Sequence, residues 1–327
     1  MKAVILKQYD TPFSYEEVEK PVAGARQVLV AVKASAVNPL DLKIRAGKAA
    51  HAEPRLPAIL GIDMAGVVEA VGEGVSEFSV GDTVYGMTGG IAGIPGSLAE
   101  YQVVDARLLA LKPRCLSFRE AAAMPLGFIT AWEGLVDRAQ VGPGKTVLVH
   151  GGAGGVGHLA VQLALAKGAT VYATVRPEQN GLIESYGAVP IDYTSMTAAE
   201  YVQRYTGGRG FDIVFDTLGG ETLNASFLLA KRYTGHVVSI LGWGMHALAP
   251  LSFRGASYSG VFTLYPLISG EGREHQGHIL REAAALVAAG RLRPMVDTVG
   301  YGLGTVEAAY EALQEGKAAG KIVVDVA

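Results

Sequence analysis

The sequence predicts an α/β protein of two domains, a barrel-like β domain and a doubly wound parallel sheet. Three observations carry that prediction. The 327 residues exceed what a single hydrophobic core usually organises. The first third consists of short apolar runs punctuated by glycine, the pattern of a small closed β domain. From residue 146 onward, β runs alternate with helical patterns, as a parallel sheet with crossover helices requires.

Met1 to Leu6 reads as the first strand and is too short an apolar run for a secretion signal. Val28 to Val32 and Ala65 to Val71 are further strands, and Phe78 to Gly86 is a turn followed by a strand. Ser117 then caps a helix starting at Phe118, with Glu120 in the reciprocal capping position. Thr130 to Ala139 is helical. Strands follow at 146–150, 170–174, 189–192, 212–216, 236–241 and 260–264, with helices at 156–167, 178–186, 197–205 and 221–231. After Pro266 a polar loop, Ser269 to Gly277, leads into a helix at 278–289. Lys321 to Val326 is a closing β run, and its return to the first domain would make that domain discontinuous.

The richest segment is Val147-Leu148-Val149-His150-Gly151-Gly152-Ala153-Gly154-Gly155-Val156-Gly157. Gly152, Gly154 and Gly157 have the G-x-G-x-x-G spacing of a dinucleotide-binding turn. The first glycine permits a tight turn, the second lets bare backbone approach a pyrophosphate, and the third lets the helix pack closely on the sheet. The helix start adds N–H groups and a positive dipole end. Such spacing alone can be only a turn. Here a β run precedes it, and a helix and a second strand, Thr170 to Thr174, follow it.

That second strand ends in Val175-Arg176 with no acid at its tip, where an NAD site usually places Asp or Glu for the ribose hydroxyls. A guanidinium there suits a 2′-phosphate, so NADPH is expected, and nearby Glu178 keeps NAD open.

Composition removes other classes. Half the residues are apolar and mean hydropathy is +0.27, so a substantial core forms. A net charge of −3 gives nucleic acid or an anionic membrane no electrostatic attraction. No apolar stretch reaches the roughly 18 residues of a membrane span. Cys115 is the only cysteine, so no disulfide forms within the chain and a cytoplasmic location is expected. No base stands near it in sequence, and it is assigned no catalysis.

Several further motifs occur together and in order: Val37 to Gly47, Leu60 to Val68, Gly96 to Tyr101, Ala121 to Pro125, Thr130 to Leu135, Gly207 to Asp212 and Gly316 to Val324. With the glycine turn, they resemble the medium-chain dehydrogenase/reductase superfamily, in its zinc-free quinone oxidoreductase branch. The resemblance covers nearly the whole chain. It implies a GroES-like β-barrel domain, at 1–124 and 266–327, and a Rossmann domain at 125–265, with the active site in the cleft between. It also implies a homodimer joined through sheet edges such as Tyr258 to Leu264.

Zinc members of the superfamily hold their metal with a Cys, the His of a Gly-His-Glu motif, and a further Cys or acid. Here Asn38 stands at the Cys position and Ile62 at the His position, within Gly61-Ile62-Asp63. One cysteine also rules out the four-cysteine structural loop. No metal is expected. Without Lewis-acid activation of an alcohol, reduction of a quinone or an enone is the chemistry left.

The resemblance implies site residues. Asn38 is a candidate hydrogen-bond donor to a substrate carbonyl or the nicotinamide ribose, and Asp41 holds the loop or orients Arg45. Both are also plausible turn residues beside Pro39. For the cofactor, Thr130, Gly152, Gly154, Gly155, Val156 and Gly157 would line the pyrophosphate. Arg176 and Tyr193 would surround the 2′-phosphate. Leu241, Gly242, Phe262 and Thr263 lie at strand ends, and Lys317 and Lys321 flank Gly320 near the cofactor. Trp243, Met245, His246, Leu264 and Tyr265 would form an apolar wall for a flat substrate, or ordinary core. Two other functions stay open: an enoyl-thioester reductase, with Arg45, Lys48 and Arg55 as its basic channel, and a non-catalytic NADPH-binding protein.

Overall fold

The computed structural model describes residues 1–326. Ala327, the last residue of the expected 266–327 segment, lies outside them. The chain divides into two compact units. One comprises Met1–Leu126, Leu264–Ala289 and the chain from Pro294 onward. The other comprises Gly127–Thr263 and Gly290–Arg293.

The first unit is built on antiparallel strands. Its longest strand, Gln27–Ala36, pairs with Asp63–Val71, Tyr101–Asp105 and Val323–Asp325. Register shifts between Leu29 and Val30 and between Val32 and Ala34 bend it, as bulges do. The sheet continues through Thr83–Met87 to Leu109–Leu111 on one side and to Tyr301–Gly302 on the other. A smaller sheet joins Ser14–Glu17, Lys2–Leu6 and Ala58–Ile59. Helix Arg273–Ala288 packs on strand Leu109–Leu111 and the turn before it. It approaches so closely that a Cβ on Gly277 would lie 2.3 Å from the Arg107 carbonyl oxygen. The expected polar loop therefore ends early. Helix begins at Arg273: Gln276 and Gly277 are buried on one face, and Glu274, His275 and His278 are exposed on the other.

The second unit is a six-stranded parallel sheet. In spatial order its strands are Val189–Asp192, Thr170–Val175, Thr146–His150, Ile213–Asp216, His236–Ser239 and Ser257–Gly260. Phe211, Val214, Leu223, Phe227 and Val237 lead a core cluster on one face. The helix expected at Thr130 to Ala139 is Pro125–Trp132, continued as a wider π-helical segment, Glu133–Arg138. A Cβ on Gly134 would sit 2.5 Å from the Phe215 ring, so only glycine lets this segment lie on the sheet. One expected strand is misplaced. Of residues 260–264 only Gly260 lies in a strand, and the last strand is the polar Ser257–Gly260. An edge strand with one neighbour needs no apolar run, and Leu264 instead leads into helix Tyr265–Ser269 with Pro266 in its first turn. No helix among the described residues is long and apolar enough to cross a membrane.

Tyr85 is fully buried, and its hydroxyl donates to the Leu280 carbonyl at 2.6 Å, pinning the Arg273–Ala288 helix to the sheet. Tyr85→Phe is expected to cost about 1 kcal/mol of stability in a urea titration, the usual worth of one internal hydrogen bond. An unchanged midpoint would show that this contact does not hold the helix.

Candidate active site

In the second unit, four side chains stand in one row at the C-terminal ends of adjacent strands. The register pairs Thr174 with His150, His150 with Asp216, and Asp216 with Ser239. His150 Nδ1 lies 3.3 Å from Thr174 Oγ1, and Thr217 Oγ1 donates to the His150 carbonyl at 2.7 Å. Asp216 accepts from the Leu218 and Gly219 N–H groups at 3.1 Å and from Ser239 Oγ at 2.7 Å. Burial pushes the His150 imidazole down to about 4, with Asp216 opposing, so the ring is neutral at physiological pH. Its Nε2 is buried without a partner.

The glycine turn leaves this row. Gly151 adopts φ +70°, and its N–H donates to Thr174 Oγ1 at 3.1 Å. The Gly152 N–H donates to the Thr174 carbonyl at 3.1 Å, and a Cβ there would meet the Ala173 Cβ at 2.6 Å. A Cβ on Gly157 would lie 2.0 Å from the Gly151 carbonyl oxygen, so the helix Gly157–Ala166 can start there only on glycine. Gly155 faces open space, with no atom within 4 Å of its would-be Cβ. A cradle sealed behind by Gly152 and Gly157, open at Gly155 and exposed at Gly154, fits a pyrophosphate on bare backbone. Gly127 packs against Leu159 and the Gly155 carbonyl, which brings Thr130 to the same end of the sheet. Thr130 Oγ1 lies 3.4 Å from Thr263 Oγ1, and both residues are buried.

Arg176 and Tyr193 meet for a reason of register. Val175 pairs with Asp192, so the residues that follow both strands emerge side by side. Arg176 Nε donates to Tyr193 Oη at 3.3 Å, and both side chains are exposed. Asp192 ends its strand, and its carboxylate is engaged by the Thr194 N–H at 2.9 Å and the Thr194 hydroxyl at 2.6 Å, while the neighbouring strand tip carries Arg176 and no acid. A cation and a phenol side by side in solvent suit the 2′-phosphate of NADPH. Leu241 and Gly242 follow strand His236–Ser239, and the Leu241 N–H donates to Ser239 Oγ at 3.1 Å. Phe262 is partly exposed. Trp243 and Met245 are exposed, and His246 Nδ1 lies 2.8 Å from Asn224 Oδ1.

In the first unit, the segment expected to be active is a buried polar cluster. Asn38 precedes helix Pro39–Arg45, and its N–H donates to Asp41 Oδ2 at 2.7 Å, fixing the helix start. Its Nδ2 donates to Asp63 Oδ2 at 3.0 Å, and its Oδ1 accepts from Lys321 Nζ. Lys321 Nζ is 3.9 Å from Asp63 Oδ2, and the Leu126 N–H donates to Asp63 Oδ1 at 2.8 Å. Asn38, Asp41 and Asp63 are all buried.

Charge is costly there. Burial pushes the Asp63 carboxyl up to about 6, against the pull of the Lys321 ammonium and the Asn38 amide. Burial raises Asp41 to about 7, helped by nearby Asp63 and opposed by the Asn38 N–H and Lys321. The Lys321 ammonium is lowered by its burial, with the two carboxylates opposing.

Asp41 therefore holds the loop. It does not orient Arg45, which pairs with Glu307 at 2.7 Å. Lys317 and Lys321 also part company. Lys317 is exposed and pairs with Glu315 at 2.6 Å. Gly320 passes so close to the Val296 backbone, 2.8 Å from its would-be Cβ, that only Lys321 turns inward. Asp63 was not among the candidates. Its signal was a carboxylate inside an otherwise apolar strand start, within Gly61-Ile62-Asp63.

Residues 24–114 match the alcohol dehydrogenase GroES-like domain family, and residues 187–324 match a family described as zinc-binding dehydrogenase. The chain is 36% identical over 335 residues to the chloroplastic NADPH-dependent alkenal/one oxidoreductase of Arabidopsis thaliana, covering 99% of this chain and 79% of that one. An alcohol dehydrogenase superfamily protein from Novosphingobium aromaticivorans superposes with TM-score 0.98 at 51% identity, with all of both chains covered. The quinone oxidoreductase of Coxiella burnetii superposes with TM-score 0.82 at 28% identity, covering 100% of this chain and 99% of that one. The chain belongs to the medium-chain dehydrogenase/reductase superfamily, in its zinc-free branch, with a GroES-like and a Rossmann domain. Although the second family is described by zinc, Asn38 and the fully buried Ile62 offer no thiolate or imidazole at the ligand positions.

Because Asp41 is raised from its ordinary value of 3.8 to about 7, its contribution to stability is complete below pH 4 and is lost as pH rises through 7. Asp41→Asn keeps an acceptor for the Asn38 N–H and removes the titration. Urea midpoints between pH 4 and 8 should fall less steeply for this variant than for wild type. Parallel curves would show that Asp41 is ionised in the fold throughout.

Proposed function

We propose that the protein is an NADPH-dependent reductase that transfers hydride to a quinone or to the C=C bond of an enone. The observation that carries this reading is the pairing of two features. One is a glycine cradle ending in Arg176 and Tyr193; the other is a pair of metal-ligand positions filled by Asn38 and Ile62. Bound NADPH supplies the hydride. Gly152, Gly154, Gly155, Val156 and Gly157 hold its pyrophosphate, and Arg176 with Tyr193 grips the 2′-phosphate. Thr130, Thr263, Leu241, Gly242 and Phe262 shape the end of the sheet that receives the rest of the cofactor. Asn38 and Asp41 set the helix start, and the Asn38 amide holds Lys321 and Asp63 in place.

An alcohol must lose a proton before it gives up hydride, which is what a zinc ion makes possible. An enone or quinone accepts hydride at carbon while its own carbonyl oxygen takes the negative charge. The protein then has only to orient the reactants, exclude water and offer hydrogen bonds to that oxygen. The enzyme works in the cytoplasm, where its exposed single thiol stays reduced, and pairs as a homodimer through the open edge strand Ser257–Gly260.

Chelator-treated protein should oxidise NADPH faster than NADH with quinones and enones. Arg176→Ala should raise the KM for NADPH by about 10- to 100-fold, the worth of a charge-assisted phosphate contact, and leave the KM for NADH within about twofold. Equal loss with both cofactors would remove Arg176 from the 2′-phosphate site. Turnover with enoyl thioesters alone would move the substrate class, and tight NADPH binding without turnover would overturn the enzyme reading.

A further inference from the structure

Lys321 is the one cation in the buried cluster, and its hydrogen bonding is incomplete. An ammonium carries three N–H donors. One goes to Asn38 Oδ1, and Asp63 Oδ2, at 3.9 Å, neutralises the charge without accepting a hydrogen bond. The side chain is nine-tenths buried. A buried ammonium with spare donors is expensive unless an oxygen comes to meet it. The two groups that hold it are also notable by position. Asn38 stands where zinc members place a thiolate, and Asp63 adjoins Ile62, which stands where they place an imidazole. A charged side chain thus occupies the part of the fold from which those relatives hold a metal.

We propose that the Lys321 ammonium is the built-in electrophile of this site: its free N–H groups bind the carbonyl oxygen of the acceptor. This rests on the reductase reading above. NADPH, when bound, would supply the hydride that forms a new C–H bond at the acceptor's electron-poor carbon, and the C=C π pair would shift toward the carbonyl. The C=O π pair then moves onto oxygen. That oxygen becomes an enolate, or a hydroquinone anion, hydrogen-bonded to Lys321; solvent supplies the final proton. Asn38 and Asp63 are positioning residues, fixing where the ammonium points.

The test uses 4-nitrophenol, whose ionised oxygen resembles the enolate and absorbs visibly, bound to the full-length protein with NADP⁺. Wild type should ionise the bound probe at least about one pH unit below the free phenol, a tenfold preference for the anion. Lys321→Met should abolish that shift and lower kcat/KM for enones by about 10²-fold or more, while NADPH binding by fluorescence stays within about twofold. If the variant fails to fold because Asp63 loses its counter-charge, the double variant K321M/D63N restores neutrality and should give the same loss. A shift that survives in either variant overturns the proposal, as does its absence in wild type. A parallel loss of NADPH affinity would instead make Lys321 a cofactor ligand. The probe needs no turnover. A Lys321-dependent shift in a protein that reduces no enone or quinone would sink the reductase reading and leave the anion site standing.

Discussion

The second unit's functional end hangs from the parallel register of one strand, Thr146–His150, between Thr170–Val175 and Ile213–Asp216. Parallel strands stop together, so Thr174, His150, Asp216 and Ser239 form one row, and the turns that follow are built from it. Thr174 fixes the start of the glycine turn through the Gly151 N–H, and Asp216 fixes the next turn through the Leu218 and Gly219 N–H groups. The same register brings Arg176 beside Tyr193, two residues 17 apart in sequence that share no local pattern. Close approach does the rest. Gly157 lets helix touch turn at a distance no side chain would permit.

The first unit applies the opposite economy. Its functional segment takes charges out of water and has to compensate them. Asp63 accepts from the Leu126 N–H and the Asn38 amide and faces an ammonium, so its burial is answered on three sides. Asp41 has one strong donor and a second oxygen with no partner, and its carboxyl is correspondingly the more raised of the two. A cluster of this kind is weak evidence for stability, because apolar side chains of similar volume would often hold the fold as well. Perturbed, buried charges of this kind mark a candidate ligand site, which is the role proposed for Lys321.

Elements set by strong local chemistry were legible in the sequence. The glycine turn, the Ser117–Glu120 cap and the first four parallel strands appear where residue types demanded them, within a residue or two at their ends. The last strand was not legible, because its own residues are polar and the apolar run just after it leads into helix Tyr265–Ser269. The site divides along the same line. The glycines, Arg176 and Tyr193 could be found from a turn motif and a strand end. Lys321 could be singled out but not placed, since an inward turn at Gly320 depends on the Val296 backbone, which is remote in sequence. Asp63 was the least visible. A carboxylate inside a strand becomes meaningful only when a distant amide, an ammonium and a backbone N–H converge on it.

With Lys321 in its proposed role, that convergence accounts for hydride chemistry at a site without metal ligands. A divalent ion is needed when the reacting oxygen must first be stripped of a proton, because an alcohol's oxygen is a poor acid and only a strong Lewis acid makes an alkoxide near neutral pH. An enone or quinone presents an oxygen that is already unprotonated and gains charge only as hydride arrives. A single positive charge with N–H donors, held in low dielectric, is then sufficient, since the interaction is weak with the neutral carbonyl and strong with the anion. Replacing thiolate by Asn38 and imidazole by Ile62 removes the metal's anchors, while Asp63 and the Asn38 carbonyl retain what an ammonium needs, one anion and one neutral acceptor. In the proposed mechanism the ligand set and the reaction go together: a metal serves alcohol oxidation, and an ammonium serves reduction of an activated double bond.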